Sequence, residues 1–178
     1  MTVDDLVWAS AAAPIGFCRP FVPRWLKAQF APADVQRSRR LFISREVRKV
    51  ANEDDVMTLL AERGFERVHP ERLSFLEQVE LFASAELVVG PHGAGMANVV
   101  FGDDLGVLEL FQPGYLNTGP YAVAHASGHD CWAMVGDPVR SAGLAKDTDI
   151  QIDLDELSRV VGEMVDSRRH VARRPAVR

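Results

Sequence analysis

Cysteine is scarce in this chain. Cys18 and Cys131 are the two in 178 residues, too few and too far apart for a disulfide scaffold or a zinc site. That usage fits a reducing cytoplasm. Lysine is nearly as rare: Lys27, Lys49 and Lys146 are three of 20 basic residues. The positive charge is therefore almost all arginine, whose planar fork grips phosphate. No apolar run approaches the ~20 residues of a membrane span. The opening "MTVDDLVWASAAAP" carries acids where a signal peptide needs basic residues. A basic stripe is missing as well, and the net charge of −5 argues against nucleic acid as a partner. With 47% hydrophobic and 25% charged residues, what remains is an ordinary soluble domain, one by its length.

Residues 1–40 read as an irregular lead-in, because Pro14, Pro20, Pro23 and Pro32 interrupt any long element. Trp25, Leu26 and Phe30 fit one or two helical turns docked on the core. From Leu41 a regular alternation begins. "LFIS" (41–44), "FERVH" (65–69), "LVVG" (87–90), "GVLEL" (106–110) and "CWAMV" (131–135) are strand candidates. Between the first two, Asn52 is placed as the N-cap of a helix whose first turn holds Glu53, Asp54 and Asp55. Val56, Leu59 and Leu60 share its apolar face, and Gly64 closes it. Ser74 and Glu77 make the S-x-x-E capping box of a second helix, with Leu76, Val79, Phe82 and Ala83 as its buried stripe. Further helices are expected after the third strand to about residue 101, around 118–128, and over 153–168 behind Asp153. The end, 169–178, is basic and reads as a disordered tail. Strands that are apolar throughout, alternating with helices, predict a Rossmann-like α/β domain over 41–168: a parallel sheet with helices on both faces.

In such sheets ligands bind beyond the carboxyl ends of the strands. "VVGPHGAGMAN" (88–98) is such an end. Gly93 and Gly95 lack Cβ, so backbone N–H groups can close on an anion at the start of a helix. The spacing, Gly90-x-x-Gly93-x-Gly95, is neither the dinucleotide fingerprint nor a Walker loop. A tight corner with packing glycines accounts for the spacing equally well. His92 and Asn98 favour a ligand. Arg45 and Arg48 follow the first strand; the plainer account is a solvated loop pairing with Glu46 and Glu53. Glu109 interrupts an apolar strand, where a carboxylate is costly unless paired or bound. Together these describe a nucleotide site, with diphosphate on the glycine turn and arginines and ribose on Glu109.

The residues Ser44-Arg45, Arg48, Asn52-Glu53, Gly64-Phe65, Glu77-Gln78-Val79, His92-Gly93-Ala94-Gly95, Asn98, Phe101 and Glu109 resemble, in order, the pattern of glycosyltransferase family 61. The resemblance spans roughly residues 38 to 136. It implies the donor-binding, C-terminal lobe of a GT-B enzyme that moves a sugar from a nucleotide, by default uridine, to a hydroxyl of a glycan or other acceptor. Inversion is implied, as are no metal and no other cofactor. Bacterial members are associated with surface polysaccharide. The implied donor-binding residues are Arg45, Arg48, Asn52, Glu53, Gly93, Ala94, Gly95, Asn98 and Glu109. Arg45 and His92 are the implied stabilisers of the leaving nucleotide. The loop from Ser44-Arg45 to Asn52-Glu53 is shorter than the family's pattern. The chain also begins near the middle of that pattern, so residues 1–40 are read as a remnant of, or link to, a first lobe. A second lobe or subunit would then supply the general base.

Other readings lead elsewhere. "DTD" (147–149) and "DLD" (153–155) match the Asp-x-Asp of metal-dependent transferases, although capping explains the second. His125 and His129 are four apart, as metal ligands sometimes are, but Gly128 interrupts their helix. A nicotinamide oxidoreductase is disfavoured by the glycine spacing. A nucleotide-sugar-binding module without turnover of its own is the main alternative.

Overall fold

The computed structural model describes residues 17–139 and 148–172. Its centre is a sheet of five parallel strands: β1 (Arg39–Ile43), β2 (Phe65–Val68), β3 (Ala85–Pro91), β4 (Gly106–Phe111) and β5 (Asp130–Val135), in the order β2-β1-β3-β4-β5. The chain leaves β1 toward one edge, returns over it to β3, and then proceeds to the other edge. The direction of winding therefore reverses between β1 and β3. Such a reversal splays the two following loops apart and leaves a crevice between them.

Helices cover both faces, as the strand pattern predicts. Phe42, Leu87, Val89, Leu108 and Leu110 point to one face, where α2 (Glu53–Ala61) contributes Val56 and Leu60 and α5 (Leu154–Ala172) contributes Leu157, Val161 and Met164. Leu41, Ile43, Val88 and Val107 point to the other. There α3 (Phe75–Ala83), α4 (Gly119–Ala126), the proline-bearing helix α1 (Phe21–Phe30) and a 3₁₀ helix (Ala94–Phe101) close the core. Each fully buried Leu or Val contributes roughly 1.5–3 kcal/mol, so the alternation of strand residues between faces holds the layers together.

Several boundaries differ from the sequence reading, each for a physical reason. A ten-residue α1 forms within the expected irregular lead-in, because Pro20 and Pro23 fall at its cap and first turn, where no intrahelical N–H is needed. The segment after β3 winds as 3₁₀ rather than α helix, with Met96, Val99, Val100 and Phe101 buried. In α3 the capping box forms as read from the sequence. The buried face is rotated toward Leu81 and Phe82, however, and Leu76 stands 60% exposed. Helix α5 runs to Ala172, past the expected boundary at 168. An antiparallel pair, β6 (Asp137–Pro138) with β7 (Ile150–Gln151), was not anticipated. Two-residue strands carry no period to read.

Candidate functional site

The reversal of winding puts the loop after β1, beginning Ser44-Arg45, beside the loop after β3, beginning His92-Gly93. The structure thereby gathers Arg45, Arg48, His92, Gly93, Ala94, Gly95 and Asn98 at one sheet edge. Arg45 spans the crevice: its Nη1 donates to the carbonyl oxygen of His92 at 2.5 Å. The guanidinium crosses directly over Gly93, where an added Cβ would sit 2.0 Å from Nη1. Gly93 also holds φ +155°, a backbone region essentially restricted to glycine. Gly93 is thus needed for the passage of Arg45. Gly95 is different, since a Cβ there would meet only Ile43 Cγ2 at 3.5 Å, an ordinary contact.

His92 is buried and held from two sides. Its Nδ1 lies 2.7 Å from Oε1 of Glu109, itself 4% exposed. A carboxylate only accepts, so Nδ1 carries a proton and Nε2 is the ring nitrogen left for another partner. The ring stacks on Phe111 (centroids 5.0 Å apart) and meets Tyr115 edge-on at 5.4 Å. Arg48 lies over the Tyr115 ring at 6.0 Å, within the range of a cation–π contact. Arg48 has φ +56°, uncommon for a residue with a side chain.

Glu46 and Glu53, the carboxylates beside these arginines in sequence, pair elsewhere, although Glu71 acts on Arg45 from nearby. Glu46 pairs with Arg72 at 3.1 Å, and Glu53 with Arg67 at 3.2 Å. Burial, and then the neighbouring cation Arg48, lower the pKa of Arg45 below its ordinary value. A guanidinium nonetheless stays charged. Two cations near a shared crevice, one of them half-buried, favour an anion between them. The amides of Ala94 and Gly95 precede the first bond of the 3₁₀ helix, Met96 N–H to Gly93 C=O, and so have no intrahelical acceptor. Clefts flank this corner on both sides. One of about 590 Å³ is lined by Arg45, Gln78, Gly95 and Asn98, and one of about 490 Å³ by Arg48, His92, Tyr115 and Asn117.

The family model of Glycosyltransferase 61 matches residues 1–108. The chain belongs to glycosyltransferase family 61. The matched span contains Arg45, Arg48, Asn52, Glu53, His92, Gly93, Ala94, Gly95 and Asn98, and ends one residue before Glu109. It also takes in residues 1–37, outside the span the motifs marked. No curated protein sequence matches the chain.

In this family 61 chain, three of the sequence-selected residues are engaged by the scaffold. Asn52 does not cap α2 with its side chain; it brackets the backbone of Ile152, with Nδ2 donating to the carbonyl at 2.9 Å and Oδ1 accepting from N–H at 3.0 Å. Glu53 accepts from Ser44 Oγ at 2.7 Å and pairs with Arg67. Glu109 is occupied by His92. These residues hold the structure around the edge where the other candidates lie. Asn98 lies in the 590 Å³ cleft and donates to Gln78 Oε1 at 2.7 Å.

The remaining candidates lie apart from this edge. Asp149 accepts from Lys49 N–H at 2.9 Å, and Asp153 caps α5 through Glu156 N–H at 2.8 Å; Asp147 is outside the described residues. His129 is a buried bracket, accepting from Leu105 N–H at 3.2 Å while Nε2 meets the Val99 carbonyl at 2.8 Å. His125 stacks on Tyr121 instead. Burial, aided by Asp130 and Glu109, pushes the Cys131 thiol up to about 11, which leaves it an unreactive thiol. Among the described residues, no helix is long and apolar enough to cross a membrane. Sequence reading overlooked Tyr115 and Phe111, and named Gln78 only as part of the family pattern. Nothing local marks an aromatic in a loop as a neighbour of a histidine more than twenty positions away.

Proposed function

We propose that this chain provides the nucleotide-sugar site of a GT-B-type transferase, moving a sugar from a UDP-linked donor to a hydroxyl acceptor with inversion and without a metal. The observation that carries the reading is the convergence of Arg45 and Arg48 with His92 at the β1/β3 crevice, unneutralised by the carboxylates beside them in sequence. In the reaction the acceptor oxygen bonds to the anomeric carbon as the bond from that carbon to the β-phosphate oxygen breaks. The electron pair departs with the diphosphate, and the acceptor's proton passes to a base that we assign to a second lobe or subunit.

The magnitudes say why side chains are needed for this. A helix N-terminus contributes about 0.3–1 kcal/mol toward an anion, whereas one preorganised donor to a developing charge is worth roughly 2.7–4 kcal/mol. Arg45, Arg48 and His92 supply such donors. His92, with Nδ1 on Glu109, directs Nε2 toward the leaving oxygen when protonated.

Calorimetric titration of the chain with UDP, first without metal and then with Mn²⁺, tests the reading alongside Arg45→Ala and His92→Ala. Metal-independent binding weakened by both substitutions is expected. Binding that appears only with Mn²⁺, or that ignores both substitutions, overturns it.

A further inference from the structure

Glu77-Gln78-Val79 is a stretch of the family resemblance to which the proposed donor site assigns no function. Val79 packs in the core and Glu77 closes the capping box of α3. Gln78 does neither. Its Nε2 donates to the carbonyl oxygen of Leu73 at 3.1 Å, and its Oε1 accepts from Nδ2 of Asn98 at 2.7 Å. Both amides lie along the wall of the cleft that holds Arg45 and Gly95.

The orientation of this relay is decided at one end. A backbone carbonyl can only accept, so Gln78 must present its NH₂ to Leu73 and its oxygen to Asn98. Asn98 must then turn its NH₂ toward Gln78. That bond uses one of its two N–H groups and fixes which way the amide faces, so the place of Oδ1, the acceptor, is set. An amide held by nothing could turn over and serve either polarity; this one cannot without losing a hydrogen bond. A fixed acceptor separates ligands that differ in polarity at one point, since the wrong partner sets two acceptors face to face. Sugar hydroxyls both donate and accept, so fixing the amide gains nothing against them. Nucleobase edges are fixed in polarity, and the cation of Arg45 lies in the same cleft for the phosphates.

We propose that Asn98, oriented by Gln78 and the Leu73 carbonyl, reads the base of the nucleotide by accepting from an N–H on its edge, and that Gln78 is a positioning residue for that selectivity. The proposal rests on the donor-site reading above. The N–H comes from either of two pyrimidines: the imide of uracil or the exocyclic amine of cytosine, which display opposite polarity at neighbouring atoms.

Titration of the folded chain with UDP and with CDP distinguishes these sources. Wild type is expected to favour one of them by about tenfold, near 1.4 kcal/mol, and the favoured nucleotide names the N–H. Gln78→Met, similar in volume but unable to hold the amide, is expected to bring the ratio to within about twofold. Gln78→Glu keeps an acceptor opposite Asn98 Nδ2; it is expected to weaken both nucleotides yet preserve their ratio. If Gln78→Met does not fold, Asn98→Leu removes the acceptor itself and is expected to erase the ratio. Equal binding of UDP and CDP by wild type overturns the proposal. So does a ratio that survives Gln78→Met, or Asn98→Leu in its place, unchanged. Arg45-dependent binding alongside either result leaves the donor site standing, whereas no nucleotide binding at all overturns both.

Discussion

The guanidinium of Arg45, on the loop after β1, is hydrogen-bonded to the carbonyl of His92, on the loop after β3. This bond crosses the point where the winding of the sheet reverses. It ties the arginine and the histidine of the site into one unit, and Gly93 is the residue that lets the arginine through.

Gly93→Ala is therefore expected to harm both folding and binding. The new side chain takes a backbone region costing about 1–3 kcal/mol, and its Cβ displaces the Arg45 guanidinium. Denaturant midpoint and UDP affinity should both fall, affinity by about tenfold or more if one charged hydrogen bond is lost. Gly95→Ala, with ordinary contacts only, is the control: its nucleotide affinity should stay within about twofold, as expected where nothing is displaced.

Glu109 separates two roles by kinetics. If it held ribose, Glu109→Gln would chiefly raise the dissociation constant for UDP. Its bond to His92 Nδ1 predicts instead that UDP affinity is nearly unchanged while kcat falls by about a hundredfold, in the range of a mispositioned catalytic donor. Titration of the chain, paired with turnover measured in the presence of the lobe or subunit that supplies the base, checks this.

Asn52→Ala removes the bracket on Ile152, whose backbone is buried with it. Leaving a buried N–H and carbonyl without partners costs about 1–3 kcal/mol. Chemical denaturation should show that loss, with UDP affinity little altered.

His129 sets a pH dependence of stability. Burial is the main cause holding its pKa below the ordinary value of 6.5, so the folded ring is neutral where the unfolded ring binds a proton. The unfolded state then binds more protons, and stability is complete above the unfolded value and falls as pH drops below it. The slope cannot exceed about 1.4 kcal/mol per pH unit for one proton. Unfolding free energies between pH 7.5 and 5.5 test this, and His129→Gln should flatten the decline.

The sheet could be read from residues because its cause is local. Leu41, Val88 and Leu108 sit in short apolar runs bounded by turn residues, and burial on both faces requires that pattern. Ser74 and Glu77 announced their helix for a similar reason, since a capping box closes within four positions. Leu76 was misplaced because an apolar residue at the border of a stripe is buried only if a neighbour covers it. Asn52 stands at the N-cap as read, but its side chain turns to Ile152, a partner a hundred positions away that no local pattern marks.

By itself the sequence determined the alternation of strands and helices, the family to which the chain belongs, and the presence of arginines, a histidine and glycines at strand ends. The alternation and the strand-end residues follow from short-range periodicity and spacing, and the family from the ordered motifs that resemble its pattern and the family model that matches residues 1–108. The strand order, the crossing of Arg45 over Gly93, the pairing of His92 with Glu109 and the relay from Leu73 through Gln78 to Asn98 were decided by the tertiary structure. Each joins groups on different elements, and their distances are set by how the layers pack rather than by their positions along the chain.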